Sequence, residues 1–157
     1  GHSLIKAKMK ETNAILAGEM SGHTFFCDKW YGFDDGLYAG ARLLEILSHF
    51  DDPSTVLEAL PKGFSTPELN IKLKEGEQHS LIKTMQDNAI FPKALEIIKI
   101  DGLRVEYVDG FGLMRASNTT PVIVLRFEAN TSVDLGVIQD EFRSVLEMYV
   151  DRDDIPF

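Results

Sequence analysis

The clearest pattern in the chain is an alternation of apolar and polar residues at positions 122–129. Ile123, Leu125 and Phe127 fall on one side of an extended chain and Arg126 falls on the other, which predicts a half-buried strand. Four further segments have strand character: residues 69–73, 97–100, 103–108 and 112–116. The second and third of these flank an Asp-Gly pair, which is typical of a hairpin turn. We therefore predict an antiparallel sheet of about four strands in the second half of the chain.

Apolar residues at helical spacing predict two helices beside this sheet. Residues 133–149 carry Leu135, Ile138 and Phe142 on one face, and a stripe of this kind can cover a sheet. Residues 79–88 are the second predicted helix. We expect residues 69–157 to form a C-terminal α+β domain, in which two helices pack on a four-stranded antiparallel sheet.

The first part of the chain has a different pattern, in the order helix, strand, strand, helix. The predicted elements are a helix at residues 4–12, short strands at 14–17 and 23–27, and a long helix that begins near 36. Either Asp34 or Asp35 is a suitable N-cap for the long helix. Two strands are too few to close a core, so we expect residues 1–60 to be an incomplete α/β domain segment. Two prolines and a glycine within residues 61–68 predict a linker.

The composition narrows the classes of function. Sixteen basic residues against twenty-five acidic ones give a formal net charge of −9, which argues against binding to nucleic acid or to anionic membrane surfaces, since both attract basic patches. One cysteine in 157 residues leaves no intrachain disulfide and no cysteine-based metal site. No apolar run approaches the ~20 residues that span a bilayer, and a cytoplasmic location fits. The start at Gly1-His2-Ser3, without an initiator Met, fits a tag remnant or a longer natural protein.

The first candidate site is a run of hydrogen-bond donors at residues 115–121, Arg-Ala-Ser-Asn-Thr-Thr-Pro. The guanidinium of Arg115 matches a phosphate or carboxylate in two-point fashion, and Ser117, Asn118 and Thr119 add hydroxyl and amide donors. Backbone N–H groups of such a turn can also form an anion-binding nest. No acid interrupts this run in an acidic chain, which favours a localised site for a small anion. The alternative is a polar turn between two strands.

The second candidate is the segment Gly-Glu-Met-Ser-Gly-His at residues 18–23. If its backbone is extended, Glu19, Ser21 and His23 point the same way and offer groups that suit the hydroxyls of a polyol. Three alternatives remain open: a Ser21–His23 nucleophile pair without the usual elbow motif, a metal site of Glu19 and His23 with His2, and a glycine turn with a capping serine. Core packing or a sugar-stacking wall would account for the aromatic residues that follow: Trp30, Tyr31 and Phe33.

Both segments resemble motifs of one family, the α-D-phosphohexomutases. Residues 18–23 resemble its sugar-binding loop, and residues 115–121 resemble its C-terminal phosphate-binding loop. Residues 1–6 and 33–36 also match, and the four segments keep the family's order and separation. Met20 resembles the bacterial phosphomannomutase/phosphoglucomutase branch, because the phosphoglucosamine mutase branch typically has Gln there.

The resemblance implies a role for each matching residue. The family moves a phosphoryl group from an enzyme phosphoserine to a hexose phosphate, through a bisphosphorylated sugar that turns over in the site. Glu19 and Ser21 would hold sugar hydroxyls, while His23, Gly1 and His2 would lie near the sugar or the transferring phosphoryl group. His23 would also suit proton movement, since an imidazole changes charge near neutral pH. Four residues would hold the phosphate far from the reacting one: Arg115, Ser117, Asn118 and Thr119.

The resemblance covers only the C-terminal part of domain 3 and all of domain 4 in a four-domain family. It implies Mg²⁺, glucose 1,6-bisphosphate as intermediate and activator, and mannose or glucose phosphates as substrates of a full-length, monomeric enzyme. The family's serine loop and Asp-rich metal loop are not found in these 157 residues. We therefore expect the remaining mutase domains to act as partners and this chain alone to be inactive. The alternatives are a standalone module that binds phosphosugars without catalysis and an interaction domain that docks through apolar faces.

Overall fold

The structure, a computed structural model, describes residues 1–19 and 21–157. These residues divide into two compact units, Gly1–Pro61 and Lys62–Phe157. Each unit has a sheet of its own.

The first unit is built mainly from helices. Its elements are α1 at His2–Thr12, β1 at Leu16–Gly18, β2 at Thr24–Phe26, α2 at Gly36–Leu47 and α3 at Ser54–Glu58. The two strands pair antiparallel, with Gly18 opposite Thr24. The predicted order of helix, strand, strand and helix is confirmed in this part of the chain, and the short α3 follows it.

Local sequence fixes the start of α2, but the helix is left largely uncovered. The side chain of Asp35 accepts a hydrogen bond from the N–H of Tyr38 at 3.0 Å, and its own backbone is extended, so Asp35 is the N-cap. The helix is rich in apolar residues, yet none of its residues, all of them described, is buried. Leu37 is 90% exposed and Leu44 is 68% exposed. A two-stranded sheet offers too little surface to cover such a helix.

The second unit, all of whose residues are described, is an antiparallel sheet of six strands with two α-helices. Its strands are β3 at Phe64–Ser65, β4 at Leu69–Lys72, β5 at Glu96–Ile98, β6 at Leu103–Tyr107, β7 at Gly110–Ala116 and β8 at Val122–Ala129. Its helices are α4 at Glu77–Asn88 and α5 at Ser132–Leu146, followed by a 3-10 helix at Arg152–Asp154. The strand order is β3-β8-β7-β6-β5, with β4 also paired to β8.

The predicted α+β class is confirmed, while the sheet has six strands instead of about four. Two strands share one side of β8: β4 pairs with residues 122–125, and β3 pairs with Glu128 and Ala129. Because β3 has only two residues, no alternation marks it in the sequence. It lies within residues 61–68, where the prolines and the glycine predict a linker.

The core of the second unit lies between one face of the sheet and helices α4 and α5. Ile123, Leu125 and Phe127 of β8 are buried, as their alternation predicts. Phe142 of α5 is also fully buried, with its ring centroid 4.9 Å from that of Phe91 and 5.1 Å from that of Phe127. The opposite face of the sheet carries Arg104, Arg115 and Arg126 together with apolar residues such as Leu113 and Val124. Among the helices of the described residues, none has the length and apolar character needed to cross a membrane.

A hydrogen bond to a carboxylate ties α5 to the sheet. The hydroxyl of Tyr107 donates to Glu141 at 2.6 Å, and Glu141 also accepts from the N–H of Lys93 at 3.1 Å. Burial, together with the Glu141 carboxylate, raises the pKa of Tyr107 above its usual range. The folded state therefore favours the neutral phenol, which can donate this hydrogen bond.

We expect Tyr107→Phe to lower the free energy of unfolding by roughly 1–2 kcal/mol near neutral pH, because it removes a hydrogen bond to a charged group. The effect should shrink above about pH 10, where an unfolded tyrosine ionises. A pKa that is raised in the folded state stabilises the protein below the unfolded pKa, and this stabilisation is lost as the pH rises further. Urea titrations at neutral and at alkaline pH measure both effects.

Tyr149→Phe is the control for this pH dependence. The Tyr149 hydroxyl has no hydrogen-bond partner among the described residues, so its removal should change stability little at either pH. The same pH dependence in both variants would contradict the role of Tyr107.

Candidate functional site

The segment between β1 and β2 in the first unit is a tight turn. The N–H of Gly22 donates to the carbonyl of Glu19 at 2.9 Å, and the N–H of Glu19 donates to the carbonyl of His23 at 2.9 Å. The backbone is therefore not extended here, and the expectation that strand alternation aligns the three side chains does not apply. Glu19 is half-buried, whereas Ser21 and His23 are exposed. Met20, on which the resemblance to one branch of the family rests, lies outside the described residues.

A carboxylate from outside the turn holds His23. The Nδ1 atom of His23 lies 2.5 Å from Oδ2 of Asp34, and Oδ1 of Asp34 accepts from the N–H of Thr24 at 3.3 Å. The side chain of His23 is 50% exposed and that of Asp34 is 26% exposed, so the imidazole stays accessible while its carboxylate is partly shielded. The sequence alone allows either aspartate as the N-cap of α2. The structure gives that role to Asp35 and places Asp34 against His23.

The alternative chemistries for this turn gain no support from the described residues. Nδ1 of His23 faces Asp34, and no hydrogen bond joins Ser21 to His23. No group of three or more His, Cys, Asp or Glu side chains in the described part of the chain could hold a metal ion. His2 lies in the first turn of α1, with its ring 5.2 Å from that of Phe25, and Gly1 is the N-cap of the same helix.

The aromatic residues that follow β2 pack against one another. Trp30 stacks on Tyr38 with ring centroids 4.3 Å apart, and its Nε1 donates to Asp35 at 3.2 Å. Packing and this hydrogen bond account for Trp30. Tyr31 is exposed and stacks on Phe33.

In the second unit, a polar turn leads from β7 into β8. Ser117 is buried, and its Oγ accepts from the N–H groups of Thr119 at 3.3 Å and Thr120 at 3.2 Å. The N–H of Ser117 donates to the carbonyl of Val122 at 3.0 Å, which continues the strand pairing into the turn. Ser117 thus sets the shape of the turn from the inside, and it engages two N–H groups that an open anion nest would present. The side chains of Asn118 and Thr119 face solvent.

Arg115 stands at the end of β7, just before this turn, on the sheet face opposite the core. It pairs with Val124 of β8 and is half-buried. Its neighbours on β7, Met114 and Ala116, point into the core and are buried. Among the described residues, the Arg115 guanidinium takes part in no hydrogen bond and no ion pair.

Two other arginines on the same face are already engaged. Arg126 of β8 donates to the carbonyl of Thr66 at 3.2 Å. Arg104 of β6 pairs with Glu106, with Nε and Oε1 2.5 Å apart. Of these three arginines, Arg115 is therefore the one that keeps its donors for a ligand.

Sequence reasoning did not identify Gln78 of α4 as part of this site. Its Nε2 donates to the carbonyl of Ser117 at 3.5 Å, and its buried Oε1 has no hydrogen-bond partner among the described residues. The signal was available in the helix pattern, because Gln78 shares the buried stripe of α4 with Ile82 and Met85. Burying a side-chain amide is unfavourable unless the amide is hydrogen-bonded, and here the amide of Gln78 bonds to the turn that follows Arg115.

Comparison with known proteins matches both units to one family. Residues 1–64 match the family model for phosphoglucomutase/phosphomannomutase, alpha/beta/alpha domain III, and residues 68–145 match the model for phosphoglucomutase/phosphomannomutase, C-terminal domain. The chain is 63% identical over 148 residues to a phosphoglucomutase of Neisseria gonorrhoeae, a match that covers 94% of this chain and 32% of that protein. It is 52% identical over 158 residues to a phosphomannomutase/phosphoglucomutase of Pseudomonas aeruginosa, covering 100% of this chain and 34% of that protein.

A solved structure agrees with these matches. The crystal structure of a phosphoglucomutase/phosphomannomutase family protein from Burkholderia thailandensis is 59% identical and superposes with a TM-score of 0.84, covering 94% of this chain and 31% of that one. The chain spans about a third of the length of the curated relatives that it matches. The family resemblance predicted from the two loops is confirmed: the chain belongs to the phosphoglucomutase/phosphomannomutase family, in which it corresponds to domain III sequence followed by the C-terminal domain.

Proposed function

We propose that this chain supplies the substrate-holding part of a phosphomannomutase/phosphoglucomutase. The full-length enzyme would interconvert hexose 1-phosphates and 6-phosphates through an enzyme phosphoserine and a bisphosphorylated sugar, glucose 1,6-bisphosphate when the hexose is glucose. The observation that carries the proposal is the state of Arg115, a half-buried guanidinium beside a donor-rich turn that has no internal partner in the described residues. Such a group can bind phosphate with two parallel hydrogen bonds.

The residues proposed to contact the phosphate belong to the second unit. Arg115 supplies the positive charge, and the exposed Asn118 and Thr119 supply amide and hydroxyl donors. Ser117 restrains the backbone of the turn, because its Oγ accepts from two N–H groups and also lies within hydrogen-bond distance of the Thr119 and Thr120 hydroxyls. A turn that is fixed before binding loses less entropy when the ligand arrives.

The residues proposed to contact the sugar belong to the first unit. Glu19 would accept hydrogen bonds from sugar hydroxyls, and Ser21 and His23 can donate or accept. Gly1 and His2, at the start of α1, would contribute to the same side.

The reactive groups are proposed to belong to the remaining mutase domains. The described residues contain no group of three or more His, Cys, Asp or Glu side chains that could hold a metal ion, and the sequence contains no serine loop of the family type. This chain would therefore bind and orient substrate, while the phosphoserine and the metal act from elsewhere in the full-length enzyme. We also propose that the full-length enzyme is a cytoplasmic monomer.

We expect Arg115→Ala to weaken the binding of glucose 6-phosphate by roughly 1.5–3 kcal/mol, the range for a charge-assisted hydrogen bond. This corresponds to an increase in Kd of about ten-fold to one hundred-fold. Titration calorimetry on the purified chain measures it, and an unchanged Kd would remove Arg115 from the site.

Arg152→Ala is the matched control for the loss of one positive charge. Arg152 belongs to the same unit, its side chain is well exposed, and its ion pair is with Glu147, so its removal should leave the Kd unchanged.

The same samples should not isomerise glucose 1-phosphate above the rate of a mock purification. Isomerisation above that rate would contradict the placement of the catalyst outside this chain.

A further inference from the structure

Asp34 is fixed between two consecutive residues at the start of β2. One carboxylate oxygen contacts Nδ1 of His23 at 2.5 Å, and the other accepts from the N–H of Thr24 at 3.3 Å. The backbone of Asp34 also forms an antiparallel bridge with Phe25, which is fully buried. The carboxylate is therefore positioned both by its own hydrogen bonds and by the backbone that carries it.

This contact determines which ring nitrogen of His23 carries the proton. An ionised carboxylate can only accept hydrogen bonds, so at 2.5 Å from Oδ2 the Nδ1 atom must be the protonated nitrogen. In the neutral imidazole, the lone pair then lies on Nε2. The His23 side chain is half-exposed, and its Nε2 is consequently an acceptor available to a ligand hydroxyl.

We propose that Asp34 is a positioning residue that holds His23 in the Nδ1–H tautomer, so that Nε2 accepts a hydrogen bond from a hydroxyl of the bound sugar. The inference rests on the proposed function for the identity of the ligand, and on the geometry alone for the tautomer. The two adjacent acids then have different roles, because Asp35 caps α2 and Asp34 orients the imidazole of His23. The same arrangement of carboxylate, imidazole and hydroxyl fixes histidine tautomers in many active sites.

The tautomer can be read directly from ¹⁵N chemical shifts of the histidine rings in the labelled chain. The chain contains four histidines, and His23→Gln identifies the His23 signals by their loss. We expect the wild-type chain to show neutral His23 with the proton on Nδ1. Asp34→Ala should shift the ratio of the two tautomers towards Nε2–H by about ten-fold or more, the equivalent of a lost charge-assisted hydrogen bond.

Two further variants separate the carboxylate's effect from general disturbance. Asp34→Asn keeps an acceptor oxygen and should retain part of the Nδ1–H preference. Asp35→Asn removes the same charge one residue away and preserves an effective N-cap, so it should leave the tautomer ratio unchanged. A tautomer ratio that Asp34→Ala does not alter, or that Asp35→Asn alters equally, would overturn the inference.

Ligand binding tests the second half of the proposal. Asp34→Ala should raise the Kd for glucose 6-phosphate and leave the Kd for inorganic phosphate unchanged, because His23 would contact the sugar and not the phosphate. Equal Kd values for glucose 6-phosphate in the wild type and in Asp34→Ala would overturn the positioning role. Absence of any glucose 6-phosphate binding by the wild-type chain would instead overturn the proposed function, and the tautomer measurement would still stand.

Discussion

Replacing Gly102 with alanine is expected to destabilise the second unit by more than about 2 kcal/mol, through two additive causes. Gly102 lies at the turn before β6 with a φ of +91°, a conformation that residues with a side chain adopt at a cost of about 1–2 kcal/mol. An added Cβ would also lie 2.2 Å from the carbonyl oxygen of Met114 and 2.7 Å from the Cα of Arg115. Backbone atoms of a central strand cannot rotate away, so β7 itself must shift. Urea denaturation measures the loss.

Two other glycines make a matched series with Gly102. Gly76, the N-cap of α4, has a φ of +86° with nothing within 4 Å of an added Cβ, so Gly76→Ala measures the conformational and capping cost without a steric overlap. Gly136 lies in α5 with open space and no positive φ, and Gly136→Ala should stabilise by roughly 0.5–1 kcal/mol. If Gly102→Ala lowers the free energy of unfolding no more than Gly76→Ala does, the close approach of the added Cβ to Met114 does not contribute to the loss. Because the overlap includes Arg115, only Gly102→Ala should also weaken phosphate binding.

The parts of the fold that follow a long periodic pattern could be predicted from the sequence. Every second residue of β8 from Ile123 to Ala129 lies in the core, and α5 repeats its buried residues at helical spacing, because burial on one side imposes these periods. A two-residue strand such as β3 carries no period. Its existence depends on the free edge of β8, which only the assembled sheet provides.

The candidate site divides in the same way. Arg115 and its turn could be predicted because the donors are contiguous in the chain. The contact between His23 and Asp34 joins residues eleven apart, and that between Gln78 and Ser117 joins residues thirty-nine apart. No local propensity encodes such pairs, since they arise only when strands and helices have packed. At residues 18–23 the sequence leaves both an extended backbone and a glycine turn open, because glycines allow either conformation.

The apolar residues of α2 stay exposed in the first unit. Leu37 and Leu44 remain exposed beside a sheet of two short strands, although a helix with this many apolar residues normally covers a sheet face. The matching family model describes an alpha/beta/alpha domain, an architecture in which helices cover both faces of a sheet. The second unit, by contrast, buries its own core, and the stability predictions therefore concern that unit.

Replacing Phe142 with alanine is expected to remove about 3–5 kcal/mol from the free energy of unfolding of the second unit, the range for a large aromatic in a closed core. The Phe142 ring is fully buried between Phe91 and Phe127, and it lies against the strand β7 at Gly112, where no side chain intervenes. Since small domains have only about 5–15 kcal/mol of stability, Phe142→Leu gives a milder variant with a measurable transition. Urea denaturation followed by circular dichroism compares the two.

The contact between Gly112 and Phe142 predicts a coupling that neither single variant reveals. A Cβ on Gly112 would lie 2.3 Å from Cε2 and 2.6 Å from Cζ of the Phe142 ring, so Gly112→Ala should cost about 1–3 kcal/mol by overpacking. In the Phe142→Leu background the ring edge is gone, and the same substitution should cost less by about 1 kcal/mol or more, within the range seen for residues in contact. Gly136→Ala, which meets no neighbour, should have the same effect in both backgrounds. If Gly112→Ala lowers the free energy of unfolding equally in the wild-type and Phe142→Leu backgrounds, the absence of a side chain at Gly112 is not what allows Phe142 to pack there. A coupling confined to Gly112 would show that this strand glycine is required by the helix that packs on it.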